Sequence, residues 1–124
     1  MKKLYALRGA VQCENKEDDI IAQVTLMYDD LLKSNNLEED SIVSIMFSIT
    51  NDLNAISPCT ALRKANRAGG SMALFASQEP EVKNSLERTI RVIIHCYLEE
   101  GLNPNHVYLN GAEVLRPDRR PKKS

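Results

Sequence analysis

The chain has 124 residues, 43% of them hydrophobic and 27% charged, with a formal net charge of -1. These values are typical of one soluble globular domain, and the near-neutral charge argues against general affinity for nucleic acid. No apolar run approaches the roughly 20 residues that cross a bilayer, and Arg8 interrupts the N-terminal apolar segment too early for a signal peptide. Three separated cysteines without a CxxC motif suit reduced thiols, so we expect a cytoplasmic protein.

The first half of the sequence predicts two strands and two helices in alternation. A strand is expected over Leu4–Val11, followed by a helix over Lys16–Lys33 with acidic residues in its first turn. The segment Ser41–Ile49 is rich in branched and aromatic residues and predicts a buried strand. Ser57-Pro58 has the pattern of a helix start, with Ser57 as N-cap, and Gly69-Gly70 is expected to end that helix.

The second half predicts one strand, one helix and two short strands. Met72–Ser77 is expected to be a strand, and Asn84–Glu99 a third helix whose apolar residues follow helical spacing. His106–Leu109 and Glu113–Leu115 are expected to be short strands around a turn at Asn110-Gly111. The whole order therefore predicts an α+β fold in which helices pack on one face of a mixed sheet. The other sheet face is left for self-association.

We expect residues 1–118 to form one domain and residues 119–124 to form a flexible, basic C-terminal tail.

Three arginines stand where the local pattern calls for apolar residues. Arg8 shares a strand face with Leu4 and Ala6, Arg91 falls inside the apolar run of the third predicted helix, and Arg116 ends the last predicted strand. A partly buried guanidinium is costly unless an anion meets it. The pattern therefore predicts a pocket for a small polyanion.

Six short segments occur in an order and at spacings that resemble one enzyme family. They are Leu7-Arg8-Gly9-Ala10, Ser48-Ile49-Thr50-Asn51-Asp52-Leu53, Gln78-Glu79, Ile90-Arg91-Val92, His106-Val107-Tyr108-Leu109 and Val114-Leu115-Arg116-Pro117-Asp118. Together they resemble the small monofunctional chorismate mutases of the trimeric, pseudo-α/β-barrel class, as distinct from the all-helical class. The resemblance implies a chorismate-mutase-like, ferredoxin-like sandwich that assembles as a homotrimer with active sites between subunits.

The resemblance also implies the reaction. Members of this family rearrange chorismate to prephenate on the route to phenylalanine and tyrosine, in a pericyclic step without a covalent intermediate. Such a step needs no metal and no cofactor, but it needs a compact bound substrate and fixed charges that meet the charge developing in the transition state.

By the same resemblance, five residues carry charge or a hydrogen bond to the substrate. Arg91 is implied to lie nearest the breaking ether bond, with Arg8 beside it. Tyr108 is implied to donate to a carboxylate and Glu79 to accept from the ring hydroxyl, while Arg116 closes the site. The remaining residues implied to line the pocket or its mouth are Phe75, Ala76, Ser77, Arg63 and Ser57. Ser57 and Ala76 depart from the family's usual residues, a large apolar and a polarisable one, which bears on affinity more than on chemistry.

Simpler interpretations stay open at this point. In one of them, Arg91 pairs with an acid such as Glu87. In another, Tyr108 is an ordinary cross-strand aromatic residue. Two functions of other classes also remain. One is an enamine or imine deaminase of similar trimeric fold, and the other is a non-catalytic module that binds an anionic metabolite.

Overall fold

The computed structural model describes residues 1–115 of the chain. The strands are β1 (Lys2–Gln12), β2 (Ile42–Ile49), β3 (Ala73–Gln78), β4 (Thr89–Glu99) and β5 (Val107–Leu109). The helices are α1 (Glu17–Ser34), α2 (Pro58–Lys64) and two short 3-10 helices, Glu39–Ser41 and Ala112–Leu115. No helix in this described part is long and apolar enough to cross a membrane.

The strands form one mixed sheet in the order β3-β2-β4-β1-β5. The central strand β4 is antiparallel to both of its neighbours, β2 and β1. The outer strands β3 and β5 each run parallel to the strand beside them. The long antiparallel pairing between β1 and β4 therefore forms the middle of the molecule.

One face of the sheet and the two α-helices enclose the core. Along β4 every second side chain is buried, and residues opposite each other, such as Leu7, Ile94 and Ile45, form apolar rows across three strands. Helix α1 packs on these rows through Ile20, Val24, Met27, Tyr28 and Leu31. Each such fully buried aliphatic side chain stabilises the fold by roughly 1.5–3 kcal/mol relative to an exposed one.

Gly9 lets α1 approach the sheet closely. A Cβ at this position would lie 3.1 Å from Leu31 Cδ1, 3.1 Å from Val92 Cγ1 and 3.2 Å from the Val107 carbonyl oxygen. These separations are tighter than ordinary van der Waals contact, so a larger residue forces helix and strands apart.

The opposite face of the sheet, called here the open face, carries Arg91 and is not covered by α1 or α2, while the 3-10 helix Ala112–Leu115 packs on its β5 edge. It also carries Leu4, Met46, Phe75 and Tyr97, which are between 43% and 59% exposed. A contiguous set of large exposed apolar side chains usually marks an interaction surface. The expectation that helices pack on only one face of a mixed sheet is confirmed.

The predicted helix over Asn84–Glu99 is wrong, because residues Thr89–Glu99 form strand β4. The buried positions alternate along this segment, at Ile90, Val92, Ile94, Cys96 and Leu98. Ile and Val are β-branched and favour strands, and packing between β2 and β1 satisfies both edges of the segment. Arg91 consequently does not interrupt an apolar helix stripe but lies on the open face of a strand.

Two smaller predictions near the ends of elements are also wrong. Residues Glu113–Leu115 belong to a 3-10 helix rather than a strand, although the predicted turn before them exists, with positive φ at Asn110 and Gly111. Ala112 is buried there and so directs the chain back onto the sheet instead of along it. Helix α2 ends at Lys64, before Gly69-Gly70, although Ser57 caps its start as predicted.

Candidate active site

Arg91 lies at the middle of a row of residues that runs across the open face. Its neighbours opposite in the sheet are Ser48 on β2 and Ala10 on β1, and Ala10 is followed by Tyr108 on β5. The period of two along each strand directs these side chains to the same face. Strand pairing thus brings together residues that are far apart in the sequence.

Glu79 holds the Arg91 side chain from the β3 side. The Glu79 backbone N–H donates to the Ile49 carbonyl at 2.8 Å, just beyond the end of β3. Its Oε1 accepts a hydrogen bond from Ser48 Oγ at 2.7 Å and lies 3.2 Å from Arg91 Nε. The ion pair uses Nε of Arg91, and the arginine side chain remains 46% exposed. The two terminal nitrogens of the guanidinium are therefore left to donate to a ligand.

Arg8 lies on the same face, one step along β1 from Ala10. It is opposite Ile93, and therefore diagonal to Arg91 across the two strands, within reach of a long side chain. Its backbone N–H donates to His106 Nδ1 at 2.9 Å, which links it to the segment before β5. Its guanidinium makes no ion pair with residues 1–115, so two cations face one carboxylate in this region.

The ring of Tyr108 is held firmly beside this charged group. It is 7% exposed and packs with Ala10 and Ala112, while Leu86 and Leu115 cover it from the side. Its hydroxyl makes no hydrogen bond within residues 1–115. Tyr108 is thus more than an exposed cross-strand aromatic residue, because its ring is buried on the open face, one strand away from Arg8 and two strands away from Arg91.

Of the remaining predicted site residues, Ser77 lies in the same row, opposite Ser48, and the others lie farther from Arg91. Phe75 and Ser77 are on the open face of β3, whereas Ala76 points to the core side and packs against it. Ser57 Oγ accepts from Cys59 N at 3.2 Å at the start of α2 and borders a groove with Ser77. Arg63 lies exposed on α2, away from the open face.

Arg116 and the predicted tail, residues 119–124, lie outside the described residues. The ion pairs and hydrogen bonds within residues 1–115 do not join Ser57 or Arg63 to Arg91. Within residues 1–115, a single chain therefore assembles only part of the predicted site, namely Arg8, Ser77, Glu79, Arg91 and Tyr108.

Ser48 is a candidate site residue that sequence reasoning did not single out. Its hydroxyl orients Glu79 and lies opposite Arg91. The signal in the sequence was a polar residue between the apolar Phe47 and Ile49 in a mostly apolar strand, facing the side away from the core. Together, the exposed guanidinium groups of Arg8 and Arg91 and the hydroxyl of the buried Tyr108 provide positive, hydrogen-bonding groups on one face that suit a small anion.

The comparisons with known proteins agree on one family. The family model described as "Chorismate mutase type I" matches residues 4–119. The chorismate mutase AroH of Bacillus subtilis is 28% identical over 117 residues, covering 93% of this chain and 91% of that protein. The chorismate mutase AroH of Thermus thermophilus is 30% identical over 115 residues, covering 90% of this chain and 93% of that protein.

The fold is also similar to a solved structure. A chorismate mutase from Clostridium thermocellum has a TM-score of 0.82 to this chain at 39% sequence identity, with 89% of this chain and 98% of the other covered. The α+β fold expected from the sequence is confirmed by this match. The likeness extends over nearly the whole chain and is not limited to the charged segments.

Proposed function

The chain belongs to the type I chorismate mutase family, and on this premise we propose that it converts chorismate to prephenate in phenylalanine and tyrosine biosynthesis. The observation that carries the proposal is the arrangement of Arg91 on the open face, held by Glu79 and next to Arg8 and Tyr108. Chorismate is a dianion, and these donors match its carboxylates and ether oxygen. The comparisons support neither the deaminase nor the metabolite-binding module.

The proposed mechanism is electrostatic. The rearrangement breaks the ether C–O bond and forms a C–C bond within one molecule, so no nucleophile or proton transfer is needed. Negative charge grows on the ether oxygen, where the outer donors of Arg91 are proposed to meet it. Arg8 and Tyr108 are proposed to bind the carboxylates and hold the substrate in its compact form, while Glu79 faces the ring and accepts from its hydroxyl.

A spectrophotometric assay of chorismate loss tests the proposed function. We expect the purified protein to consume chorismate and produce an equal amount of prephenate, with the same rate after treatment with a chelator. Heat-inactivated protein provides the background rate of the uncatalysed reaction. Chorismate consumption no faster than this background, at substrate concentrations up to several millimolar, would exclude the proposed activity.

We further propose that the protein is a homotrimer with sites between subunits. The open face exposes large apolar side chains that a second copy is suited to cover, and the single chain leaves Ser57 and Arg63 away from Arg91. In this arrangement Arg8, Glu79 and Arg91 come from one subunit, whereas the Ser57 and Phe75 regions and Arg63 come from its neighbour. Arg116 is proposed to close the pocket.

Mixing two inactive variants is expected to restore activity if sites are shared. Arg91→Ala removes one side of the proposed site, and Arg63→Ala removes a residue of the other. When equal amounts are unfolded together and refolded, random assembly in a cyclic trimer yields about one quarter native sites. Turnover of the mixture is compared with that of each variant refolded alone. If the mixture is no more active than the average of the two variants, the shared site is wrong.

We also propose a cytoplasmic location and a single catalytic domain over residues 1–118, with residues 119–124 as its tail. Cys13, Cys59 and Cys96 are free and buried, and burial raises the pKa of Cys13 and of Cys96 to about 11. Such thiols are protonated and unreactive at neutral pH, which suits a reducing compartment.

A further inference from the structure

The residue immediately before β4 has an uncommon backbone conformation. Arg88 has φ of 46°, in the left-handed region that non-glycine residues adopt rarely and at a cost. Its backbone N–H donates to both carboxylate oxygens of Asp52, at 3.2 Å and 3.0 Å. The loop that follows β2 thus holds the residue from which β4 begins.

Asp52 also orients the hydroxyl that joins β2 to β4. Thr50 Oγ1 donates to Asp52 Oδ1 at 2.5 Å and accepts from the backbone N–H of Thr89 at 3.0 Å. The Thr50 N–H in turn donates to the Thr89 carbonyl at 3.1 Å. Thr89 is only 2% exposed, so its hydrogen bonds with Thr50 are partly shielded from water, whereas the bond from Thr50 to the Asp52 carboxylate is exposed.

This network lies directly beside the proposed catalytic arginine in the register of the sheet. The pairs that follow it are Ile49 with Ile90 and Ser48 with Arg91. Ser48 is also the residue that orients Glu79. A change in the backbone at Arg88 or Thr89 therefore acts on a strand position close to Arg91.

We propose that Asp52 is a positioning residue for Arg91. Within residues 1–115 it makes hydrogen bonds to Thr50 and to the Arg88 backbone but none to Arg91, and it lines a cavity together with Glu79. It acts by holding Arg88 in the left-handed conformation and Thr50 in the orientation that aligns the start of β4 with the end of β2. The proposal rests on the proposed function, because it concerns the alignment of a catalytic residue for that reaction.

The side chain of Arg88 does not account for the left-handed conformation of its backbone. Its guanidinium pairs with Glu14 at 2.9 Å and with Glu87 at 3.5 Å, and both acids are largely exposed. Exposed ion pairs of this kind contribute little to stability. The backbone at Arg88 is held on one side by the Asp52 carboxylate, which accepts from its N–H, and on the other by the Cys13 N–H, which donates to its carbonyl at 3.0 Å. The Asp52 carboxylate is thus the side-chain contact on the Arg88 backbone.

The expected effect of Asp52→Ala is a loss of turnover rather than of binding. A displacement of about 1 Å at a positioned group costs on the order of 100-fold in rate, so we expect kcat to fall roughly ten-fold to 100-fold. KM should change by less than about three-fold, since Arg8 and Tyr108 are held by other strands. Asp52→Asn keeps one carbonyl oxygen as acceptor and should retain a larger share of kcat.

A double-mutant cycle with Arg88→Gly separates positioning from general stability. Glycine adopts positive φ without strain, so the factor by which Asp52→Ala lowers kcat should be several-fold smaller in the Arg88→Gly background. Glu14→Gln removes only the ion pair between Glu14 and Arg88, so its kcat should stay near that of the parent. All kinetics are measured at a temperature at which circular dichroism shows every variant to be folded.

The outcomes decide between the two proposals. A parent protein without chorismate mutase activity contradicts the proposed function itself. An active parent whose Asp52→Ala variant keeps kcat within two-fold, with or without a lower Tm, overturns the positioning role. The positioning role is also overturned if Asp52→Ala lowers kcat by the same factor in the parent and in the Arg88→Gly background. The carboxylate would then act by some route other than the backbone at position 88.

Discussion

Arg91→Ala is expected to lower kcat by at least about 100-fold to 1000-fold, equivalent to a loss of about 3 to 4 kcal/mol of transition-state stabilisation. The reason is that the ether oxygen gains charge only as the bond breaks, so the donors of Arg91 contribute more in the transition state than in the bound substrate. Glu79 and Ser48 hold this side chain before the substrate arrives. Steady-state kinetics with chorismate measure the effect, and KM should change much less than kcat.

Arg91→Lys is expected to be almost as inactive. Lysine keeps the charge, but its point charge on a flexible stem cannot contact Glu79 through one nitrogen and the substrate through two others. Arg67→Lys is the matched control, because Arg67 pairs with Asp29 on the surface of the helix layer, away from the open face. Turnover close to that of the parent in Arg91→Lys, with chorismate as substrate, would remove Arg91 from the central role.

Met46→Lys is expected to abolish assembly and, with it, activity. Met46 lies at the middle of the open face, between Phe75 on β3 and Ile93 on β4. If a second subunit covers this face, an ammonium group there is buried without a partner, which costs several kcal/mol at each copy of the interface. Analytical ultracentrifugation should show a shift from trimer to monomer at micromolar concentration, and chorismate turnover should fall to the background rate.

Leu26→Lys is the control for this experiment. Leu26 is 53% exposed and lies on α1, on the far side of the helix layer, so its replacement introduces the same charge at an equally exposed aliphatic position. It should leave both mass and activity near those of the parent. A Met46→Lys protein that sediments and turns over like the Leu26→Lys protein would show that the open face does not form the subunit contact.

Four strands and both α-helices were predictable from local pattern, but β4 was not. The strands β1, β2 and β3 and helix α1 show one apolar face at the period of their own element, and their bounds agree with prediction to within a residue or two. In β4 the face away from the core also carries Ile93 and Tyr97. A strand that is apolar on both faces loses its alternation, and helical spacing then fits it equally well.

The family resemblance indicated residues for the candidate site but not the contacts between them. Arg8, Glu79, Arg91 and Tyr108 were indicated by the family resemblance. The ion pair between Arg91 and Glu79 depends on the register of β2 with β4 and on a backbone hydrogen bond that follows β3. Sequence spacing carries no information on such long-range pairing, because each strand obtains its neighbours from distant parts of the chain.

The pairing of β1 with β4 has a consequence for how the protein is made. Lys2 lies opposite Glu99, so β1 leaves the ribosome well before its main partner β4 has been synthesised. Contacts this distant in sequence slow folding, because the loop must close before any of its interactions form. Until then the backbone edges and apolar side chains of β1 and β2 lack their partner strand. The nascent chain is most open to aggregation and to chaperone binding during that interval.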